Sequence, residues 1–485
     1  MRKAAGDVVV IGAGVAGCSA FYHLARLNRL NKGFKPILVD ARPPLTLTSA
    51  NGSFSYRNWF PSDAEAPMRE LVTASIDELD EISKRTDNMI ELNRNGYLFV
   101  TRDTSKMDTF QSLALKLEKN GGGALRIHDH KTGLAGYRMP PSRLEHDLDG
   151  TDLLVGIENI SKVFPSLKDS NAVAALHVRR CGSMNPFKLG AYELTKATEY
   201  CPSAQVIRGE VTDILSVGGN VSGVKVATDS GEMLNISTPN VVFATGPLFE
   251  KTFDMLKKRN LSSYNVPIIN ELHMRAVMED PLQVITPTTP LTFDSDHVGH
   301  FEVLTEEERE VIKADPTAHR MLGEFPSGVH VRPYQTNKMM AVWTYDTHPM
   351  EAHYPVEDVL DKHYPETCLR ALTRLYPQMK PYLSDPSVRN SLTVNGGYYC
   401  KTLDNMPLIG PAPNTIKGVF LQSAMSGIGL MSSGASGQLL AGHVMGQAPA
   451  NEKLAQHVEA FLPSRFEDDE YVKSLADGGA LMGQV

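Results

Sequence analysis

Apolar residues open the chain as a short β-branched run, Val8-Val-Val-Ile11. Glycines follow at positions 12, 14 and 17, and a helical stretch continues from Cys18 to Ala25. The pattern predicts a strand, a tight turn and a helix. A second run, Pro36-Ile-Leu-Val39, ends on Asp40, and residues 26–35 lengthen the connection between helix and strand. Met68, Leu71, Val72, Ile76, Leu79 and Ile82 recur at three- and four-residue spacing, which predicts an amphipathic helix over 66–85. Asn95-Gly96 leads into a strand at Tyr97–Thr101, whereas the polar stretch 105–165 has no assignable period. A turn at Cys181–Pro186 precedes a helix over about 187–200. Strands are expected at 204–208 and 211–215, and Gly218-Gly-Asn220 marks a hairpin before 221–226.

Further on, residues 240–246 form an apolar run ending Ala-Thr-Gly. The alternating runs 328–333 and 339–344 predict antiparallel sheet. A buried strand at 418–424 precedes a helix rich in small residues that opens at 426–429 and runs to about Gly446. After 463 an acidic run and a glycine-rich end predict a solvated, poorly packed tail. Parallel-sheet signals therefore stand at the start, middle and end of the chain, with helical and antiparallel segments between them. The expected fold is α/β. Residues 1–60, 165–255 and 385–463 form a discontinuous Rossmann-like nucleotide domain, 61–164 and 256–384 an inserted antiparallel-sheet substrate domain, and 464–485 a tail.

The opening turn carries the first chemistry. Gly12 permits the turn, Gly14 lets backbone approach a pyrophosphate, and Gly17 lets the helix pack on the strand. The helix N-terminus offers N–H donors to phosphate oxygens. Asp40 supplies the acid that holds a ribose, slightly later than the usual spacing of roughly 20 residues. An ordinary glycine-rich turn would leave both Asp40 and the placing of the three glycines unexplained.

Composition narrows the alternatives. The 485 residues exceed one simple core and carry a net charge of −8 without a basic run, which argues against nucleic acid and anionic membrane surfaces as partners. Five scattered cysteines without a C-x-x-C pair argue against a disulfide framework, a zinc site and a dithiol redox centre. No apolar stretch reaches the ~18 residues of a membrane span. With a strand beginning by about residue 7, the cytoplasm is the expected location.

Four stretches, namely the opening turn, Val241–Gly246, Asp404-Asn-Met-Pro-Leu-Ile-Gly-Pro411 and Ser426-Gly-Ile-Gly-Leu-Met-Ser432, together resemble the FAD-dependent amine and amino-acid oxidoreductases. This is the group of D-amino-acid oxidase, glycine oxidase and monomeric sarcosine oxidase. The resemblance implies that Gly12, Ala13, Gly14, Val15, Ala16 and Gly17 hold the FAD pyrophosphate and Asp40 the ribose. It implies that Ala41, Arg42, Thr48 and Ser49 run beside the cofactor, that Val211 meets its adenine side, and that Ala244, Thr245 and Gly246 pass close to it. Gly427, Ile428, Gly429, Leu430 and Met431 fall at the pyrimidine edge of the flavin, where a helix N-terminus stabilises the negative charge of its reduced form. Small residues for tight helix packing are the plain alternative there, and both can hold.

By resemblance to the sarcosine oxidase members, their substrate-clamping lysine is replaced here by Met431, and Arg57 is the candidate for their arginine. Tyr399 falls at a substrate-facing tyrosine. Gly397 falls at the covalent flavin cysteine, so the FAD is expected to be non-covalent, with Cys400 nearby. The oxygen-activating lysine maps without gaps to Met339. Lys338 is its neighbour and the candidate, although one residue of offset on a strand reverses the face. Arg332 and His330 share a strand face, and Asn270 and His273 are further pocket candidates, with ordinary hydrogen bonding the simpler role for each. The expected reaction is hydride transfer from a small amine or amino acid to flavin, with oxygen or another electron acceptor completing the cycle. No second nucleotide fingerprint marks an NADPH site. A dehydrogenase with a non-oxygen acceptor, acting on a hydroxy acid, and a non-catalytic flavin-binding protein are the alternatives.

Overall fold

A computed structural model describes residues 2–27, 33–265, 268–301, 304–449 and 451–475. Part of the expected long helix–strand connection, residues 28–32, lies outside the described residues, as does the glycine-rich end after 475.

Two nine-stranded sheets form the framework. The centre of the first is parallel: Gln205–Val217, Pro36–Asp40, Val8–Ile11, Val241–Phe243 and Val419–Ser423 lie side by side in that order. Val8, Val9 and Val10 are wholly buried, as continuous apolar runs in a two-sided parallel sheet must be. The helices Val15–Arg26, Pro186–Tyr200, Ala66–Arg85 and Gly429–Met445 pack together beside it through Phe21, Leu24, Leu71, Ile76, Leu189, Ala435 and Leu439. Gly437 allows the opening and final helices to touch, since a Cβ there would lie 2.4 Å from Ser19 Oγ.

The second sheet is mainly antiparallel, in the order Thr393–Thr402, Ile268–Glu279, Lys338–Val342, His330–Tyr334, Leu291–Asp294, Tyr97–Thr101, Ala174–Val178, Thr151–Val155 and Leu125–His128. A two-stranded ribbon, Ser55–Arg57 with Cys181–Ser183, completes the strands.

Several expectations are refined by this arrangement. The two strands expected at 204–208 and 211–215 are one long strand whose pairing with Asn220–Thr228 shifts register between Val211 and Asp213. A bulge at Thr212, inside the second of the two expected strands, takes up the extra residue. Within 105–165 stand a helix at Met107–Lys119, two strands and a helix at Ile157–Val163. Ala174–Val178 and Thr393–Thr402 fall in segments expected to belong to the nucleotide domain, yet both pair in the second sheet. The acidic run 467–470 is exposed, as expected, but the residues on either side of it are packed. Arg465 forms two bonds, at 2.6 and 3.0 Å, to the fully buried carboxylate of Asp404, Tyr471 Oη adds a third at 2.8 Å, and Phe466 and Leu475 join the core. Among the described residues, no helix is long and apolar enough to cross a membrane.

Candidate functional site

The carboxyl ends of the parallel strands converge on one cavity of about 1230 Å³, larger than the ~300–1,000 Å³ usual for small ligands. Ligands bind at this end of such sheets because the turns there expose backbone donors. Ile11–Ala16, Asp40–Arg42, Ala244–Gly246 and Ser423–Met431 contribute lining residues at or just beyond strand ends, and Val211 lines the cavity from within its long strand, past the end of its parallel pairing.

The opening turn is built for close approach. Gly12 has φ +102°, and a Cβ there would lie 2.5 Å from the Ala244 carbonyl oxygen. A Cβ on Gly17 would lie 1.8 Å from the Gly12 carbonyl oxygen. Gly17 is thus a packing glycine and does not itself line the cavity, while Gly14 and Ala16 do. Ala13 N–H donates to Asp40 Oδ2 at 2.6 Å, and Arg42 N–H donates to Oδ1 at 2.7 Å. The carboxylate is thereby fixed at the strand end, and each oxygen keeps a lone pair for a further donor. Ser49 Oγ accepts from Val15 N–H at 3.1 Å, tying the 48–51 helical turn to the start of the opening helix.

A second glycine cradle faces the first. Ala424, Ser426 and Gly427 all have positive φ, at 51°, 47° and 76°, immediately before the final helix. Two non-glycine residues held in this region mark a strained turn. A Cβ on Gly427 would lie 2.3 Å from the Tyr399 ring. The turn aims the N-terminus of a 17-residue helix at the cavity, with Gly427–Met431 lining it.

The second sheet closes the far side with one face of side chains: Tyr399, His273, Val342, His330, Phe293, Leu291 and Tyr97. The rings pack in pairs. His273 stacks on Tyr399 with centroids 3.7 Å apart, and His330 stacks on Phe293 at 4.3 Å. Arg57, delivered by the ribbon, lines the same end, with its guanidinium 5.2 Å from the Phe60 ring. Burial pushes the Tyr399 phenol up, and the Arg57 charge opposes that shift. Burial holds His330 down at about 4, against the pull of its 2.8 Å bond to the Gly328 carbonyl, so the ring is neutral at pH 7. Among the described residues that line the cavity, the carboxylates are Asp40 and Glu210, both beside the nucleotide-type turn.

The expected cofactor and catalytic residues line this cavity except Gly17 and Lys338, and of the further pocket candidates His330 and His273 line it while Arg332 and Asn270 do not. Lys338 stands at the far end of its strand and lines a separate cavity of about 480 Å³ with Asn95, Arg332 and Asn337. Met339, on the opposite face, is fully buried in the core of the second sheet, and Val342 is the residue of this strand that reaches the main cavity. A strand rises about 3.3 Å per residue, so Lys338 sits roughly 13 Å from Val342. Arg332 also belongs to the smaller cavity, where Nε and Nη2 donate to the Ser53 carbonyl. Asn270 Nδ2 donates to the Pro247 carbonyl. Cys400 lines the main cavity, but burial pushes its thiol up to about 12. Gly397 is pressed against Thr48, where a Cβ would lie 3.0 Å from the backbone. Tyr97, Leu291, Phe293 and the 352–354 loop are lining residues that no sequence motif singled out.

A family model described as FAD dependent oxidoreductase (DAO) matches residues 7–442. The chain is similar in structure to L-proline dehydrogenase from P. horikoshii, at 19% identity and a TM-score of 0.66, covering 96% of this chain and 99% of that one. Glycine oxidase from Geobacillus kaustophilus gives 15%, 0.64, 95% and 99%, and iminodiacetate oxidase from Chelativorans sp. BNC1 gives 16%, 0.64, 94% and 98%. No curated protein sequence matches the chain. The match over nearly the whole length, on a chain whose two glycine cradles and Asp40 fit a dinucleotide, places the protein in the DAO family of FAD-dependent oxidoreductases.

Proposed function

We propose that the enzyme oxidises the C–N bond of a small amino acid or carboxylated amine whose remaining side chain is uncharged. The carrying observation is the composition of the far end of the cavity. Arg57 places a cation there, beside neutral rings and apolar residues, and the carboxylates among the described lining residues stand at the other end. A substrate carboxylate would meet Arg57, whose planar fork suits it. A second ammonium, as in a diamine or a basic amino acid, would be desolvated there without a counter-charge. The wall of Tyr97, Leu291, Phe293 and His330 offers apolar surface to a side chain.

On this reading the first sheet with its helices holds the nucleotide and the second sheet holds the substrate. Gly12–Gly17 would take the pyrophosphate, Asp40 the ribose, Val211 the adenine side, and the final helix N-terminus the pyrimidine edge. Bound FAD supplies a two-electron acceptor for the hydride on the substrate's α-carbon. The protein's own part is to orient that carbon, through Arg57 at the carboxylate and Tyr399 at the wall, and to exclude water from it. Five buried, free cysteines support a reducing compartment such as the cytoplasm.

The test is an anaerobic spectrum of the holoenzyme during addition of neutral amino acids, N-alkyl amino acids, basic amino acids and diamines. Bleaching of the flavin band by members of the first two sets alone supports the reading. Bleaching by diamines overturns the assignment of Arg57. One observation favours a dehydrogenase over an oxidase: Lys338 lies outside the main cavity and Met339 in the core. Slow reoxidation in air, with fast transfer to an artificial dye, would support that second reading.

A further inference from the structure

A row of four side chains crosses from the cavity wall into the second sheet. Strands Ile268–Glu279 and Thr393–Thr402 pair antiparallel with Glu271 opposite Tyr399 and His273 opposite Gly397. Alternation puts Glu271, His273, Tyr399 and Lys401 on one face. Lys401 Nζ donates to Glu271 Oε2 at 3.0 Å, and His273 Nε2 lies 3.4 Å from the same oxygen. His273 stacks flat on Tyr399. His273 and Tyr399 line the cavity, whereas Glu271 and Lys401 stand behind them with side chains only 13% and 12% exposed.

This arrangement fixes the chemistry of the imidazole. Glu271 is held at about 2, through its contact with His273, against the opposing effect of burial, and with Lys401 adding to the shift, so it is ionised at neutral pH. Burial keeps His273 below its ordinary value, the carboxylate pulls it up, and the Lys401 charge pulls it down. With Nε2–H donating to Glu271, the ring's acceptor is Nδ1. An amino acid meets the enzyme as an ammonium, since even a peptide α-amino group titrates at about 7.7–8.0 and the carboxylate of a free amino acid raises its ammonium further. It must lose a proton before its α-hydrogen can leave with the electron pair.

We propose that His273 takes the proton of the substrate ammonium, that Glu271 holds the imidazolium so formed, and that Lys401 limits its basicity. The proposal rests on the amine-oxidising reading above. One N–H bond of the ammonium breaks, its electron pair stays on nitrogen, and one N–H bond forms at Nδ1. Nothing is oxidised in this step. The other groups around the ring are accounted for. Val342 of the adjacent strand and Thr344 just beyond it are uncharged, and Arg275 of the strand that carries His273 is tied to the Gly52 and Ala50 carbonyls. His353 of the covering loop is engaged by Asp358 at 3.1 Å, and the Arg57 charge acts on Tyr399.

The experiment is the pH dependence of the rate of anaerobic flavin reduction in the holoenzyme, compared for wild type, Glu271→Gln, Lys401→Met and His273→Asn. General-base catalysis contributes ~10²–10⁴-fold. His273→Asn should therefore lose that factor at neutral pH, retain bound flavin, and recover only as the amine itself deprotonates. The acidic limb should move to lower pH in Glu271→Gln and to higher pH in Lys401→Met. Histidine NMR of the holoenzyme gives the same answer without turnover: the resonance absent from His273→Asn should titrate lower in the first variant and higher in the second. Limbs and titrations that stay in place, or move the same way in both, overturn the proposal while leaving the amine reading intact. A wild-type flavin that no amine reduces removes the amine reading and the proposal together.

Discussion

At the scale of single residues, the site divides into positions where a side chain acts and positions where none fits. Arg57 is of the first kind. Arg57→Ala should cost about 1.5–3 kcal/mol of transition-state binding, roughly a 10–150-fold loss in kcat/KM for a carboxylated substrate. Steady-state kinetics on an amino acid and on its decarboxylated amine should show the loss for the first only. Gly427 is of the second kind. Gly427→Ala forces a Cβ against the Tyr399 ring and an L-residue into φ +76°. Strain of this sort costs about 1–3 kcal/mol, and a lower flavin content with a lower melting temperature is the expected outcome. The glycines and Asp40 were legible in the sequence because their meaning is local: a turn, a close approach, a strand end. Tyr97 and Phe293 were not, because as sequence they look like any strand aromatics. Only the pairing of Leu291–Asp294 with Tyr97–Thr101 and with His330–Tyr334 puts them on the cavity face.

At the scale of elements, periodicity was the reliable guide. The helix predicted over 66–85 is found at Ala66–Arg85, and the strand at Tyr97–Thr101 is found there. Both have a full apolar face buried locally. The stretch 105–165 was opaque because its two strands and its second helix are short and its buried charges pair with residues well apart in sequence. Asp152, fully buried, is bonded by Arg126, Arg179 and His128. The tail is a similar case. Its acidic run is exposed, as its sequence reads, yet Arg465 and Tyr471 on either side of it are anchored on Asp404. Breaking a buried pair on one side costs about 3–5 kcal/mol, so Arg465→Met should lower the unfolding free energy by that order in a denaturant titration. Burial raises the Asp404 carboxyl, but Arg465 and the hydroxyl and N–H donors outweigh it and hold it below its ordinary value. The stability it contributes is present above the carboxylate range and is lost as pH falls through the depressed folded-state value. The pH dependence of unfolding between about 5 and 2 should therefore be shallower in Asp404→Asn than in wild type.

At the scale of the whole molecule, the two sheets meet around one cavity, and its two ends differ in chemistry. The strand ends of the first sheet bring glycine turns, Asp40 and a helix N-terminus. The face of the second brings rings, apolar side chains and Arg57. A ligand that binds only the folded state stabilises it by RT ln(1 + [L]/Kd), about 2.7 kcal/mol at a hundredfold excess over Kd. Added FAD should accordingly raise the melting temperature of the apoprotein, and Asp40→Ala should reduce that rise.

The most direct measurement is the anaerobic titration of the purified, yellow holoenzyme with neutral amino acids, followed at the flavin absorption band. At least one such compound should bleach the band, and its decarboxylated amine should do so far more slowly. A holoenzyme that retains its flavin and is bleached by none of them, or equally well by the amines without the carboxylate, would contradict the proposed function.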